Sequence, residues 1–414
     1  MSRNTDRRVV VTGGGTISPL GHDWNSVHLR LRECRNAVRR IDAWDIYEGL
    51  NTKLAAPAED FQLPSHYNRK TTRSMGRVAL MSVRATELAL QQAGLLGDPL
   101  LKSGRVGVSY GSSAGSHDAV GEFGRMLNEH TTEGISATTY LKMMSHTAPV
   151  NIGVFFGLTG RVITTSSACT SGSQGVGSAY EVIRAGKQIA MIAGGAEQLD
   201  ATAAAVFDTL FATSVRNDAP ETTPRPFDAN RDGLVLGEGA CTLILEEYEH
   251  ARERGAPILA EIVGYGTNSD GQHVTQPSAE TMAQAMRLAL EDAGLSAAAI
   301  GYVNAHGTAT DHGDIAETAA TAQVFGARMP ISSLKSYVGH TLGACGAYEA
   351  WASIGMMREG WFAPTLNLEQ RDPHCAELDY ITGEGRELQT DYVMSNNFAF
   401  GGINTSLIFK RWQT

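Results

Sequence analysis

Two rhythms of apolar residues alternate along the chain. Short runs rich in valine, isoleucine and leucine predict buried strands at Arg105 to Tyr110, Arg161 to Thr165, Ile189 to Ala193 and Cys241 to Leu245. Between them lie stretches with helical spacing. In Met75 to Gly94 the apolar positions Val78, Met81 and Leu88 share a face, and a glycine ends the helix. A charged helix over Glu246 to Gly255 closes this series. A second series follows in similar order: strand Ile258 to Tyr265, a helix around Thr281 to Gly294, strand Tyr302 to Ala305, helix Ala316 to Phe325 and strand Ile331 to Ser333. A glycine- and alanine-rich helix after His340 and strands at Tyr392 to Ser395 and Thr405 to Phe409 complete it. Such alternation predicts an α/β architecture with largely buried sheets. The division near Gly255-Ala256-Pro257 predicts a duplicated unit, 1–255 and 256–414, packed as one body with the site between the halves.

The opening Arg8-Val9-Val10-Val11-Thr12-Gly13-Gly14-Gly15 predicts a strand running into a glycine turn. It is not a dinucleotide fingerprint. Gly13 and Gly15 supply G-x-G, but Ser18-Pro19 falls where a third glycine and a helix are required.

Composition narrows the function classes. With 42% hydrophobic and 19% charged residues over 414 positions, the chain is neither disordered nor fibrous. Its 44 acidic against 34 basic side chains give a net charge of -10, which disfavours nonspecific nucleic-acid binding. The five cysteines, Cys34, Cys169, Cys241, Cys345 and Cys375, are widely spaced, form no C-x-x-C pair and follow no secretory leader. A reduced, cytoplasmic protein is expected. No stretch has the roughly 20 mainly apolar residues of a membrane span, so no membrane association is expected.

Three glycine- and serine-rich segments between predicted strands and helices carry reactive side chains. In Thr164-Thr165-Ser166-Ser167-Ala168-Cys169-Thr170-Ser171-Gly172 a cysteine sits at the positive end of a helix, which predicts a stabilised thiolate. Its small neighbours predict backbone N–H groups open to a substrate carbonyl. Asn304-Ala305-His306-Gly307-Thr308-Ala309-Thr310-Asp311-His312-Gly313-Asp314 presents His306 after a strand. Ser333-Leu334-Lys335-Ser336-Tyr337-Val338-Gly339-His340-Thr341-Leu342-Gly343 brings a lysine and a histidine to the start of a helix. Singly, each is a polar residue that a protein interior can satisfy. Together they offer a thiol nucleophile and oxyanion donors, the requirements of thioester chemistry.

These segments, with Met394-Ser395-Asn396-Asn397-Phe398-Ala399-Phe400-Gly401-Gly402 and Pro224-Arg225-Pro226-Phe227-Asp228-Ala229-Asn230-Arg231-Asp232-Gly233, resemble the β-ketoacyl-[acyl-carrier-protein] synthases. The likeness is to the elongating type I/II ketosynthases of fatty-acid and polyketide assembly, and it runs from Val9 to the C-terminus. It implies the thiolase fold, two α/β halves in five α-β-α-β-α layers, usually dimeric. It implies that Cys169 takes an acyl chain from a carrier protein, while His306 and His340 stabilise the enolate left by decarboxylation of a malonyl thioester. No metal or redox cofactor is then required. By the same resemblance the N–H groups of Cys169 and Phe400 form an oxyanion hole, and Phe400 gates the nucleophile. Lys335 acts electrostatically with Asp314 and Glu317 as its acidic partners. Thr308 and Thr310 bind the pantetheine arm. Asn304, Glu349, Ser395 and Asn396 match a structural monovalent-cation site. Arg69, Lys70 and Arg73, with Arg77 nearby, match a docking surface for the acidic carrier protein.

The chain departs from the housekeeping pattern at Asp311-His312, Ala399 and Ile403. Ala399, standing for a glycine, is expected to stiffen the gate by disfavouring positive φ. These differences keep open both fatty-acid and specialised polyketide or polyene elongation, and both a homodimer and a heterodimer with a paralogous chain-length subunit. The competing reading is a non-catalytic chain-length subunit, against which Cys169 argues. Cys-His-Asn initiating synthases lack the second histidine, and a thiolase would need a second cysteine in the C-terminal loop, where Cys375 does not lie.

Overall fold

The computed structural model of the chain describes residues 7–413. The first half runs β1 (Val9–Ile17), α1 (Arg77–Gln92), β2 (Val106–Gly111), α2 (Thr147–Phe156), β3 (Val162–Thr164), α3 (Ser171–Arg184), β4 (Ala190–Glu197) and β5 (Gly239–Glu247). The second runs β6 (Ala260–Ser269), α4 (Ala279–Ala293), β7 (Tyr302–Asn304), α5 (Asp311–Phe325), β8 (Pro330–Ser332), α6 (Cys345–Glu359), β9 (Tyr392–Ala399) and β10 (Ile403–Arg411).

Strand order shows the duplication directly. The first half orders its strands β3-β2-β4-β5-β1 and the second β8-β7-β9-β10-β6, so each of these strands corresponds to the one five places later, while a two-residue strand, Asp379–Tyr380, extends the sheet beyond β8 without a counterpart among the described residues. Directions match as well. β2 is parallel to β3 and β4, as β7 is to β8 and β9, while the remaining two pairings in each half are antiparallel. The two sheets meet along three residue pairs between β1 and β6. The helices α3 and α6 pack against each other and against strands of both sheets, so they form the central layer. α1 and α2 cover the outer face of the first sheet, and α4 and α5 that of the second. Counted across, the layers are α-β-α-β-α: the thiolase fold.

The glycines at the chain's start lie inside β1 rather than in a turn after it. A Cβ on Gly13 would sit 2.3 Å from the carbonyl oxygen of Ala89, and one on Gly15 2.2 Å from that of Ala85. The strand needs glycine because α1 lies almost on its backbone. The second half repeats the device, with Gly264 at 2.4 Å from Ala289 and Gly266 at 2.1 Å from Ala285. α5 begins at Asp311, five residues before the apolar pattern signals it; Asp311 and Asp314 fill its first turn and complement the helix dipole. Among the described residues no helix is long and apolar enough to cross a membrane.

Candidate active site

Cys169 sits in a short turn, Ala168–Thr170, between the end of β3 and the start of α3. Ala168 takes a left-handed φ of 52°, and the Ser171 hydroxyl donates to its carbonyl at 2.7 Å. The small neighbours serve packing. A Cβ on Gly172 would lie 2.8 Å from the Ala347 nitrogen, so Gly172 allows α3 and α6 to meet. The sulfur is buried, and the N–H groups of Cys169 and Phe400 are directed at it. Burial nevertheless dominates. It pushes the thiol up to about 12 despite Lys335 and those two donors, so the resting group is a thiol and not the thiolate expected from the helix end.

The two histidines reach the sulfur from the other half. The Cys169 sulfur and one ring nitrogen from each of His306 and His340 all lie within 4.8 Å of one another. Nε2 of His340 is 3.1 Å from Sγ, and the two rings meet edge to face at 5.1 Å. Leu342 donates its N–H to Nδ1 of His340 at 3.1 Å, which assigns the ring proton to Nε2. For His306 the Asn397 amide nitrogen faces Nδ1 at 3.5 Å. Burial first, then the charge of Lys335, lowers both pKa values well below the ordinary imidazole range. Each ring is therefore neutral with Nε2–H toward the cleft. These are also metal-ligating residue types at ligating separation; with the proton on Nε2 the two rings present donors to the cleft.

Lys335 is paired with Glu349, not with Asp314 or Glu317. Its ammonium bonds the Glu349 carboxylate, and both side chains are about 1% exposed. Burial works against the ammonium, but Glu349, with Cys345 and Glu317, raises the pKa. Glu349 also accepts from the Asn397 amide at 2.6 Å, so a polar chain runs Lys335–Glu349–Asn397–His306. The two other carboxylates hold the His306 loop. Glu317 accepts the N–H groups of His306 and Gly307, each at 2.7 Å. Asp314 accepts those of Phe227 at 2.7 Å and Ala309 at 3.1 Å, fixing Ala309 at a φ of 65°.

A cleft of about 610 Å³ leads from Cys169, His306 and His340 to the surface between Phe400, Thr308 and Thr310. The two threonine hydroxyls bond each other at 2.8 Å and are half-buried on its wall. Phe400 lines the cleft with Cys169, its ring 5.3 Å from that of Phe207. Ala399 is the last residue of β9, and the positive φ values fall on Gly401 and Gly402 instead. The alanine therefore brings no backbone strain to the gate.

Residues 6–251 match the N-terminal domain of beta-ketoacyl synthase, and residues 259–369 match its C-terminal domain. The chain belongs to the beta-ketoacyl synthase family. It is 36% identical over 412 residues to 3-oxoacyl-[acyl-carrier-protein] synthase 2 of Vibrio harveyi, covering 98% of this chain and 99% of that one. A crystal structure of a beta-ketoacyl synthase from Burkholderia phymatum STM815 is 61% identical, with a TM-score of 0.97 over 98% of this chain and 100% of that one. A ketosynthase solved in complex with its type II polyketide acyl-carrier protein is 29% identical, with a TM-score of 0.88 over 98% and 100%.

The remaining positions of this ketosynthase divide. Arg69, Lys70 and Arg73 are exposed and line one groove with Lys142, a cation that sequence proximity could not reveal. Arg77 is half-buried and committed instead to buried Glu238, at 2.6 and 2.9 Å. Asn304 and Ser395 lie together, with the Asn304 amide 3.4 Å from the Ser395 hydroxyl. Of this group, Asn304 Oδ1 is buried without a hydrogen-bond partner, while the Asn396 oxygen accepts from Ser406 and both Glu349 oxygens are engaged. Reasoning from sequence missed Asn397 as the link to His306, although it stands in a quoted motif.

Proposed function

We propose that this chain catalyses decarboxylative Claisen condensation between a carrier-bound acyl group and a malonyl thioester. The single observation that carries the reading is the meeting of the Cys169 sulfur with two neutral histidine rings at the closed end of a cleft. The Cys169 thiol attacks the acyl thioester, the carrier's thiol leaves with the proton, and an acyl-Cys169 forms. The malonyl thioester then loses its carboxylate as carbon dioxide. The electron pair of the broken C–C bond enters an enolate whose oxygen takes Nε2–H bonds from His306 and His340. The enolate carbon attacks the acyl carbonyl, the N–H groups of Cys169 and Phe400 receive the oxyanion, and the Cys169 thiolate leaves and is reprotonated. Electrons balance without an oxidant, so the step as written calls on no redox cofactor.

Lys335 adds its charge to burial in keeping the rings neutral and, through Glu349 and Asn397, orients His306. Phe400 opens to admit substrate, and Thr308 and Thr310 take the pantetheine amides along the cleft wall. Asp314 and Glu317 support the His306 loop. An acidic acyl carrier protein docks on Arg69, Lys70 and Arg73. Asn304, Glu349, Ser395 and Asn396 form a structural site for a monovalent cation, a fit supported by the unpartnered Asn304 oxygen. The nucleophile belongs to the unit 1–255, and the histidines and lysine to 256–414. β3 lies at the sheet's end with Val162 and Thr164 exposed, an edge that a second copy or a paralogous subunit covers in a dimer.

Incubation with acyl carrier protein followed by intact-mass analysis tests this reading. An acyl adduct that disappears in Cys169→Ala is expected, together with carbon dioxide release from malonyl carrier protein. Absence of any adduct would instead favour the non-catalytic chain-length subunit.

A further inference from the structure

Glu197 ends β4 and is fully buried, yet the reaction above does not use it. Three donors converge on its Oε2: the N–H of Ser113 at 2.9 Å, the Ser113 hydroxyl, and the N–H of Gly343 at 3.0 Å. Oε1 is buried without a hydrogen-bond partner. Burial pushes this carboxyl up to about 7 against the pull of the Ser113 and Gly343 donors. A buried carboxyl with one oxygen idle is costly, and its retention calls for a task.

What it grips is the turn after His340. Leu342 adopts a left-handed φ of 45°, a conformation that strains a non-glycine residue and persists only when its surroundings hold it. It turns the chain toward Gly343, and within the same turn the Leu342 N–H bonds Nδ1 of His340. The next residue, Gly343, is pressed onto the first half. A Cβ there would lie 2.8 Å from the Ser113 nitrogen and 2.9 Å from Ser112 Cα, and a Cβ on Gly195 would lie 2.1 Å from the Gly343 carbonyl oxygen. The Gly343 N–H bond to Glu197 thus ties the His340 turn of one half to the end of β4 in the other.

We propose that Glu197 is a positioning residue for His340: by holding the Gly343 N–H it fixes the 341–344 turn, which keeps the Leu342 donor on Nδ1 and the ring proton on Nε2. Its catalytic consequence rests on the role of His340 as an enolate donor, but the tautomer does not, so the two can fail separately.

The first measurement needs no substrate. In protein labelled with ¹⁵N-histidine, with the His340 signals assigned by their loss in His340→Asn, wild type should show Nε2–H. Two variants remove the acceptor, Glu197→Met with similar volume and Glu197→Ala without it, so that a folded example is available. Either should shift the ring toward a mixture of tautomers, whereas Glu197→Gln, which retains a carbonyl acceptor, should keep Nε2–H. The second measurement is carbon dioxide release from malonyl carrier protein. Glu197→Met should lower it by the factor by which the Nε2–H population falls, at most about 100-fold for complete loss of one oxyanion donor, but leave it unchanged in a His340→Ala background. A folded Glu197→Met protein with the wild-type tautomer, or losses that multiply in the double variant, would overturn the proposal.

Discussion

Lys335 and Glu349 form an ion pair sealed from solvent, and Asn397 passes it on to the ring of His306. Removing one partner of such a pair leaves a bare charge in the interior. Glu349→Ala should therefore lose about 3–5 kcal/mol of stability in urea titrations. Replacing both, as Lys335→Met with Glu349→Leu, should cost less than that single change while still abolishing condensation. A double variant less stable than Glu349→Ala would show that the pair is net stabilising.

The histidines predict a signature in acid. Their folded pKa values lie well below 6.5, so on acidification the unfolded chain takes up protons that the folded chain refuses. Their contribution is present above about pH 6.5 and is lost below it, at about 1.4 kcal/mol per unit for each ring. Glu197, Glu317 and Asp314, pushed up to about 7, 8 and 6, act with the opposite sign, so the comparison must be between variants. Between pH 7 and 5, His306→Asn should lose about 2 kcal/mol less stability than its parent. Parallel pH profiles would mean that the ring titrates in the folded protein as it does in the unfolded chain.

Reversing Arg69, Lys70 and Arg73 to glutamate should raise KM for acyl carrier protein about tenfold at low salt, with a smaller effect at high salt. Turnover of a free pantetheine thioester should be unchanged. Adding Lys142→Glu should deepen the effect, since it lines the same groove. Arg77→Glu should instead lower stability, because it sets two carboxylates together where Glu238 is buried. Equal KM values for parent and triple variant would move the docking surface elsewhere.

The strand–helix contacts make a paired prediction. Gly13→Ala and Gly264→Ala each drive a methyl into a carbonyl oxygen of the facing helix, and each should lose about 1–3 kcal/mol. Gly121, in the helix His117–Glu129 with open space at its Cβ position, supplies the control. Gly121→Ala should gain up to about 1 kcal/mol from helix propensity alone. Thermal unfolding of the three proteins decides it.

Much of this was legible in the sequence, for identifiable reasons. Strand interiors such as Ile189 to Ala193 are apolar because both sheet faces are covered, so their positions could be read within a few residues. The reactive motifs stood out because turns carrying chemistry are rich in small polar residues. The Gly13 to Gly15 run misled because glycine needed for close approach resembles glycine needed for a turn. The repeat is stronger in the sequence than the order of expected elements alone conveys: Leu88-Ala89-Leu90-x-x-Ala93-Gly94-Leu95 recurs as Leu288-Ala289-Leu290-x-x-Ala293-Gly294-Leu295, on the helices that face the paired glycines. The state of Cys169 was not legible, because a helix end acts locally while burial depends on everything folded around it. The partner of Lys335 was hidden for a similar reason, since the carboxylates in its neighbouring motif turned out to bind backbone.

The neutrality of the two imidazoles bears on how a malonyl group would fare once inside. Its carboxylate would be stripped of water in a chamber whose one lining cation, Arg231, is already committed to Asp372. Such an anion has no counter-ion to rest against, and departure as an uncharged gas relieves it. By withholding a cation, the enclosure would make loss of carbon dioxide the easier exit and reserve its donors for the oxygen on which the charge next appears.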